Sequence, residues 1–181
     1  EIELYVTLDV GPRIIRYAPA GGENFMFEDV NSQVVEKGEE FDGYFYGGAY
    51  WRNYGGHRIW LTPESKPETY YPDNDPVEYK IEGNVFTFSP PPQKSNNVQE
   101  RLVLTVSESK SEVEVSAIAQ NLADGPQTFG IWHVSVMCQN GLAVVPQTTT
   151  DTVLLHNRTM SLWPYCDMGD ARVRWGRELI S

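Results

Sequence analysis

Cysteine is scarce in this sequence: Cys138 and Cys166 are the two present. Two thiols cannot build a disulfide framework or, alone, a zinc site, so one bridge in an oxidising compartment and two free thiols both stay open. Long apolar runs are missing as well, and no membrane span is expected. Basic residues are few, with 14 Lys and Arg against 25 Asp and Glu, a formal net charge of -11. Such a chain repels phosphate backbones and anionic lipid surfaces, which argues against nucleic acid as a partner. The glycines form no phosphate-cradling pattern, and no histidine stands at metal-triad spacing from carboxylates. Neither a cofactor nor a metal is therefore expected.

What is present suits one β-rich domain over residues 1–181. Forty per cent of the residues are hydrophobic, with ten Tyr and five Trp, enough for a sizeable core. The acids Glu36, Glu39, Glu40, Asp42, Asp73 and Asp75 are dispersed and read as solvated surface. Asn157-Arg158-Thr159 matches a glycosylation acceptor, a pattern too short to decide anything. The first residues already alternate as a strand and the last do too, so we expect the natural start to have been removed and the chain to continue past Ser181.

Period-two alternation recurs at residues 14–17, 25–27, 77–81, 85–88, 102–106, 113–119, 129–137, 142–145, 153–155, 160–163 and 173–180. Turn residues separate these runs: Gly21-Gly22, Gly83-Asn84, the prolines at 90–92, Asp124-Gly125-Pro126 and Asn140-Gly141. Two-residue Gly/Asn turns predict hairpins at 81–85 and 138–142. Any helix must be short, around residues 30–38. The fold class expected is all-β, an antiparallel β-sandwich.

Residues 31–75 break the alternation. The aromatics Tyr44, Phe45, Tyr46, Tyr50, Trp51 and Tyr54 crowd a glycine-rich stretch, which reads as a packed loop lining a pocket. Flat rings with polar edges suit a sugar's C–H face and hydroxyl rim, although most of them serve a core equally well. Next comes the densest motif, Gly55-Gly56-His57-Arg58-Ile59-Trp60-Leu61-Thr62-Pro63-Glu64. The glycine pair permits close backbone approach, and His57 can move protons near neutral pH. Arg58 can clamp hydroxyls or a carboxylate, with Glu64 as an acid or as the partner of Arg58.

This motif resembles a signature of an uncharacterised bacterial branch of the galactose mutarotase-like superfamily, the aldose 1-epimerases and their relatives. Gly48-Ala49, Arg52 and His57-Arg58-Ile59 are similar to that superfamily's glycine-alanine turn, arginine and Asn-Arg-Ile. Tyr71-Pro72-Asp73-Asn74-Asp75-Pro76-Val77, and Leu162-Trp163-Pro164-Tyr165 through Asp170-Ala171-Arg172, resemble further signatures of the same branch. Ile131-Trp132-His133-Val134-Ser135 stands where the superfamily carries the histidine of its Thr-Asn-His-x-Tyr-Phe-Asn-Leu motif. This chain departs there, with Ile131-Trp132 for Thr-Asn and Val134-Ser135-Val136-Met137 for Tyr-Phe-Asn-Leu.

The resemblance implies a large twisted supersandwich, a carbohydrate or sugar-acid ligand, and His133 as general acid in ring opening. It puts the matching glutamate base beyond Ser181. The candidate set is His133 and His57 for proton transfer, with Arg58, Arg52, Glu64, Trp60, Trp132 and Tyr50 for ligand contact. Two functions compete: an isomerase of the aldose 1-epimerase type, and a non-catalytic glycan-binding or structural module of a secreted or periplasmic protein. A periplasmic or extracellular location is favoured over a cytoplasmic one. His156 reads as an exposed loop residue.

Overall fold

The computed structural model describes residues 1–48 and 50–181; Ala49, half of the Gly48-Ala49 pair, lies outside the described residues. The chain packs as two compact units, Glu1–Gln139 and Asn140–Ser181, each taken by itself below.

The first unit contains β1 (Ile2–Val6), β2 (Ile14–Pro19), β3 (Val35–Glu36), β4 (Trp51–Arg52), β5 (Gly56–Thr62), β6 (Glu78–Glu82), β7 (Val85–Ser89), β8 (Val98–Val106), β9 (Val113–Asn121) and β10 (Gly130–Val136). Two four-stranded sheets carry the fold, ordered β1-β2-β5-β10 and β6-β7-β8-β9. Every pairing in them is antiparallel. The expected all-β sandwich is what forms.

Alternation explains the core. In β8, Val98, Glu100, Leu102 and Leu104 are buried, while the residues between them are half-buried. Leu102 and Leu104 join Phe88 of β7, Ile14 of β2, Ile59 of β5 and Val77 in one cluster between the sheets. Each leucine so buried contributes roughly 1.5–3 kcal/mol. The Gly83-Asn84 turn makes the expected hairpin, closing β6 on β7 with Glu82 opposite Val85. Gly83 sits at φ 63, the left-handed region such a turn demands.

Other expectations are corrected. No helix forms over residues 30–38. The Asp29 carboxylate accepts the backbone N–H groups of Gln33 and Val34, each at 2.9 Å, and Val35–Glu36 pairs with β4 instead. A side chain that satisfies those amides locally competes with the helix. The run at 25–27 makes a single bridge, Met26 to Met137. The hairpin at 138–142 is missing too: the chain turns at Gln139 and Asn140, and residues 141–144 form no strand.

The second unit holds one ribbon, β11 (Val145–Pro146) against β12 (Leu179–Ile180). Of the runs at 142–145 and 173–180, only these ends and the bridge of Trp175 to Ile180 pair. The runs at 153–155 and 160–163 are not strands. Val153 sits at φ 61 in a turn, and Leu154 is 94% exposed. Alternating side chains without a neighbouring strand cannot satisfy their backbone, and a lone ribbon is marginal. Cys138 and Cys166 are both free and exposed. No helix among the described residues is long and apolar enough to cross a membrane.

Candidate functional site

The glycine pair of the densest motif does what its residue type suggested. Gly55 and Gly56 have φ 88 and φ 65, and a Cβ on them would overlap the carbonyls of Phe27 and Ile14, respectively. Only glycine lets the start of β5 lie between those two backbones. From there β5 alternates, with His57, Ile59 and Leu61 on one face and Arg58 and Trp60 on the other. β10 runs antiparallel beside it, with Ser135 opposite His57 and His133 opposite Ile59. His57, Ser135 and His133 thereby share one face as direct and diagonal neighbours.

These three side chains form a short polar chain. Nδ1 of His57 lies 2.8 Å from the Ser135 hydroxyl, and its Nε2 lies 3.2 Å from Nδ1 of His133. The rings are stacked, with centroids 5.2 Å apart. His57 is buried whereas His133 is exposed. Burial first, then the charges of His133 and Arg13, lowers the His57 pKa to about 4. His57 is therefore neutral at physiological pH and has a single N–H to give. Two hydrogen-bond directions fit. In one, His133 donates to His57, which donates to Ser135; in the other, Ser135 donates to His57, which donates to His133. Either leaves the Nε2 of exposed His133 for a ligand. Among the described residues no ion pair joins a carboxylate to either histidine.

Arg58 lies on the opposite face and is spoken for. Its Nη2 is 2.8 Å from Oδ2 of Asp73, its Nε donates to the Ile59 carbonyl at 3.2 Å, and its guanidinium lies 4.0 Å from the Trp60 ring centroid. Arg13 reaches the same Asp73 oxygen at 3.1 Å, an ion pair whose angle makes no hydrogen bond. Two expectations are corrected here. Asp73 is a largely shielded counter-ion, its side chain 10% exposed, since two buried guanidinium groups demand a carboxylate; it is not solvated surface. Glu64 is exposed just past β5, and the ion-pair partner of Arg58 is Asp73.

Glu100 completes this buried group and was missed in the sequence, although the signal was there: an acid at an inward position between Val98 and Leu102. Burial above all, then the Asp73 charge, raises its pKa to about 8, partly offset by Arg58, a Gln93 hydrogen bond and Arg13. Its Oε1 has no hydrogen-bond partner. Beside it lies a cavity of about 10 Å³ lined by Pro12, Ile59, Asp73, Pro90 and Leu102, room for a single water.

The remaining candidates do not join the histidines. Arg52 stacks over the Tyr50 ring at 5.0 Å. Trp60 meets Tyr70 edge to face at 5.6 Å. Trp132 stands opposite Trp60 across the ladder, on the face of β10 turned away from His133. In the aromatic stretch Phe45 is buried against Phe41 and Tyr70, and Tyr46 meets Tyr71. A roomier cleft of about 340 Å³ lies between Leu4, Val6, Tyr79, Ile81 and Phe86, an apolar lining that offers sugar hydroxyls little. Compared with protein families, with curated proteins and with solved structures, the chain matches none.

Proposed function

We propose that this chain is a carbohydrate-binding domain of the mutarotase-like type, with the His57, His133 and Ser135 face of β5 and β10 as its polar recognition surface. The observation that carries this reading is the 3.2 Å contact between exposed His133 and buried His57. A neutral imidazole anchored by Ser135 fixes the His133 ring and leaves it one outward nitrogen. A nitrogen so oriented can exchange a hydrogen bond with a sugar hydroxyl or ring oxygen.

Binding is favoured over isomerisation. Ring opening of an aldose needs an acid and a base on either side of the anomeric centre. The carboxylates Asp73 and Glu100 are otherwise committed: Asp73 is paired to both Arg13 and Arg58, and Glu100 is held largely protonated by burial. The test is an NMR titration of the chain with neutral aldoses and uronic acids, following the His133 ring protons. Saturable shifts are expected, with affinity falling about tenfold in His133→Ala, the size of one hydrogen bond. Exchange spectroscopy on the sugar should give the buffer rate of anomer interconversion. Absence of shifts with every sugar overturns the reading, and acceleration lost in His133→Ala replaces it with the epimerase.

A further inference from the structure

We infer that two small cavities on either side of Asp73 are internal water sites, and that these waters form the path by which Glu100 exchanges its proton with solvent. The inference goes beyond carbohydrate binding and lies wholly inside the first unit. It starts from where buried polar atoms lack partners. Among the described residues these are Arg13 Nε and Nη2, Arg58 Nη1 and Glu100 Oε1, joined outside this group by the ring nitrogens of Trp51 and Trp60. Buried polar atoms are normally satisfied by protein or by ordered water, so a concentration of orphans around one carboxyl marks a hydration site. The cavities supply the room. The first, about 10 Å³, has Asp73 and Glu100 as its polar lining. The second, also about 10 Å³, is lined by Tyr71, Asp75, Pro91 and Gln93 and shares Asp73 and Pro90 with the first. Each fits one water and nothing larger.

Charge selects water over an ion. An anion would face the Asp73 carboxylate, and a cation would face the guanidinium groups paired with it, Arg58 at 2.8 Å and Arg13 at 3.1 Å. Water can donate and accept in the same place. The Gln93 side-chain oxygen accepts from Asn96 Nδ2 at 2.7 Å, which leaves the Gln93 amide N–H groups to donate to Glu100. Since Oε1 has no such partner, the carboxylic proton of Glu100 belongs on Oε1. The first water accepts from it and donates to Asp73. The second water continues from Asp73 to Asp75, which is exposed. The charges facing Glu100 are Asp73, Arg58 and Arg13. From β9 it meets Ala119, and Arg101, its neighbour in β8, bonds Gln120 instead. When Glu100 ionises, its proton passes along the two waters to solvent. The carboxylate left behind balances two arginines and one aspartate.

NMR on the isotope-labelled chain tests this without any sugar, so its outcome is separate from that of the carbohydrate reading. Magnetisation transfer from water to the side-chain protons of Ile59 and Leu102, which line the first cavity, is expected with the sign of a bound water. Glu100→Gln should keep the transfer, because an amide still hydrogen-bonds the water and has no acid proton to relay the signal. Glu100→Leu should lose it, since an apolar side chain offers the water no partner. The Glu100 carboxyl carbon should titrate near pH 8 while the amide spectrum stays that of the folded chain. Absence of transfer to Ile59 and Leu102 in the wild type overturns the water site. So does transfer that persists in Glu100→Leu, or that vanishes in Glu100→Gln and so came from the acid proton. A Glu100 carboxyl that titrates only as the fold is lost overturns the path.

Discussion

Residues 98–106 and residues 153–163 look alike as text, both rich in apolar residues with strand-forming branches. The first became β8, with neighbours on both sides, β7 and β9, and two leucines with no exposure at all. The second formed no strand, and Val153, Leu154 and Leu155 lie exposed. Local composition makes a strand permissible, but hydrogen-bonded neighbours and an opposing sheet make it stable. The apolar residues of Glu1–Gln139 are therefore energetic determinants of its fold. Those of Asn140–Ser181 are far less so within their own unit.

Substitutions can break that contrast, and the largest effect is expected at Asp73. Asp73→Ala strands two buried arginines without their counter-charge and should cost about 3–5 kcal/mol in urea unfolding. A loss under about 1 kcal/mol would mean that water solvates the pair. Leu102→Ala leaves a cavity between the sheets and should cost about 3 kcal/mol by the same assay.

Protonation gives a smaller, pH-dependent effect confined to the first unit. Glu100 has a folded pKa of about 8 against an ordinary 4.5, so between those values the folded state holds a proton that the unfolded state releases. Its contribution to stability falls as pH rises through that window. His57 has a folded pKa of about 4 against an ordinary 6.5, and its contribution rises with pH in that range. The two oppose each other below 6.5, and above it Glu100 acts alone. Thermal midpoints should therefore decline from about pH 6.5 to about pH 8, and Glu100→Gln should flatten the decline. An equally steep decline in Glu100→Gln would assign it to other groups.

The smallest effect is expected at Leu154. Leu154→Ala removes a side chain that is 94% exposed and should change stability by less than about 0.5 kcal/mol. A cost comparable to that of Leu102→Ala would erase the contrast between the two regions.

Much of the sandwich was legible because its signals are local. The Gly83-Asn84 hairpin, the alternation of β8 and β9, and the close approach at Gly55-Gly56 all follow from residues a few positions apart. Part of the site was legible as well. His57 and Arg58 are consecutive in a strand, so they had to leave on opposite faces, and one cleft could not hold both side chains from the same face. The contact of His57 with His133 was not legible, since it depends on the register of β10 on β5 across a long stretch of sequence. The same holds for Asp73, a surface acid by its neighbours and a largely shielded counter-ion by its arginines.

The amino-acid sequence by itself determined where strands can form, which turns can reverse them and which residues within a strand share a face, because backbone geometry sets these over a few residues. Tertiary structure decided which of those strands gained partners, which histidine was buried into neutrality and which acid became a counter-ion. Burial and pairing are relations between distant segments, and the free energy of a charge or an unpaired amide depends on what those segments place around it.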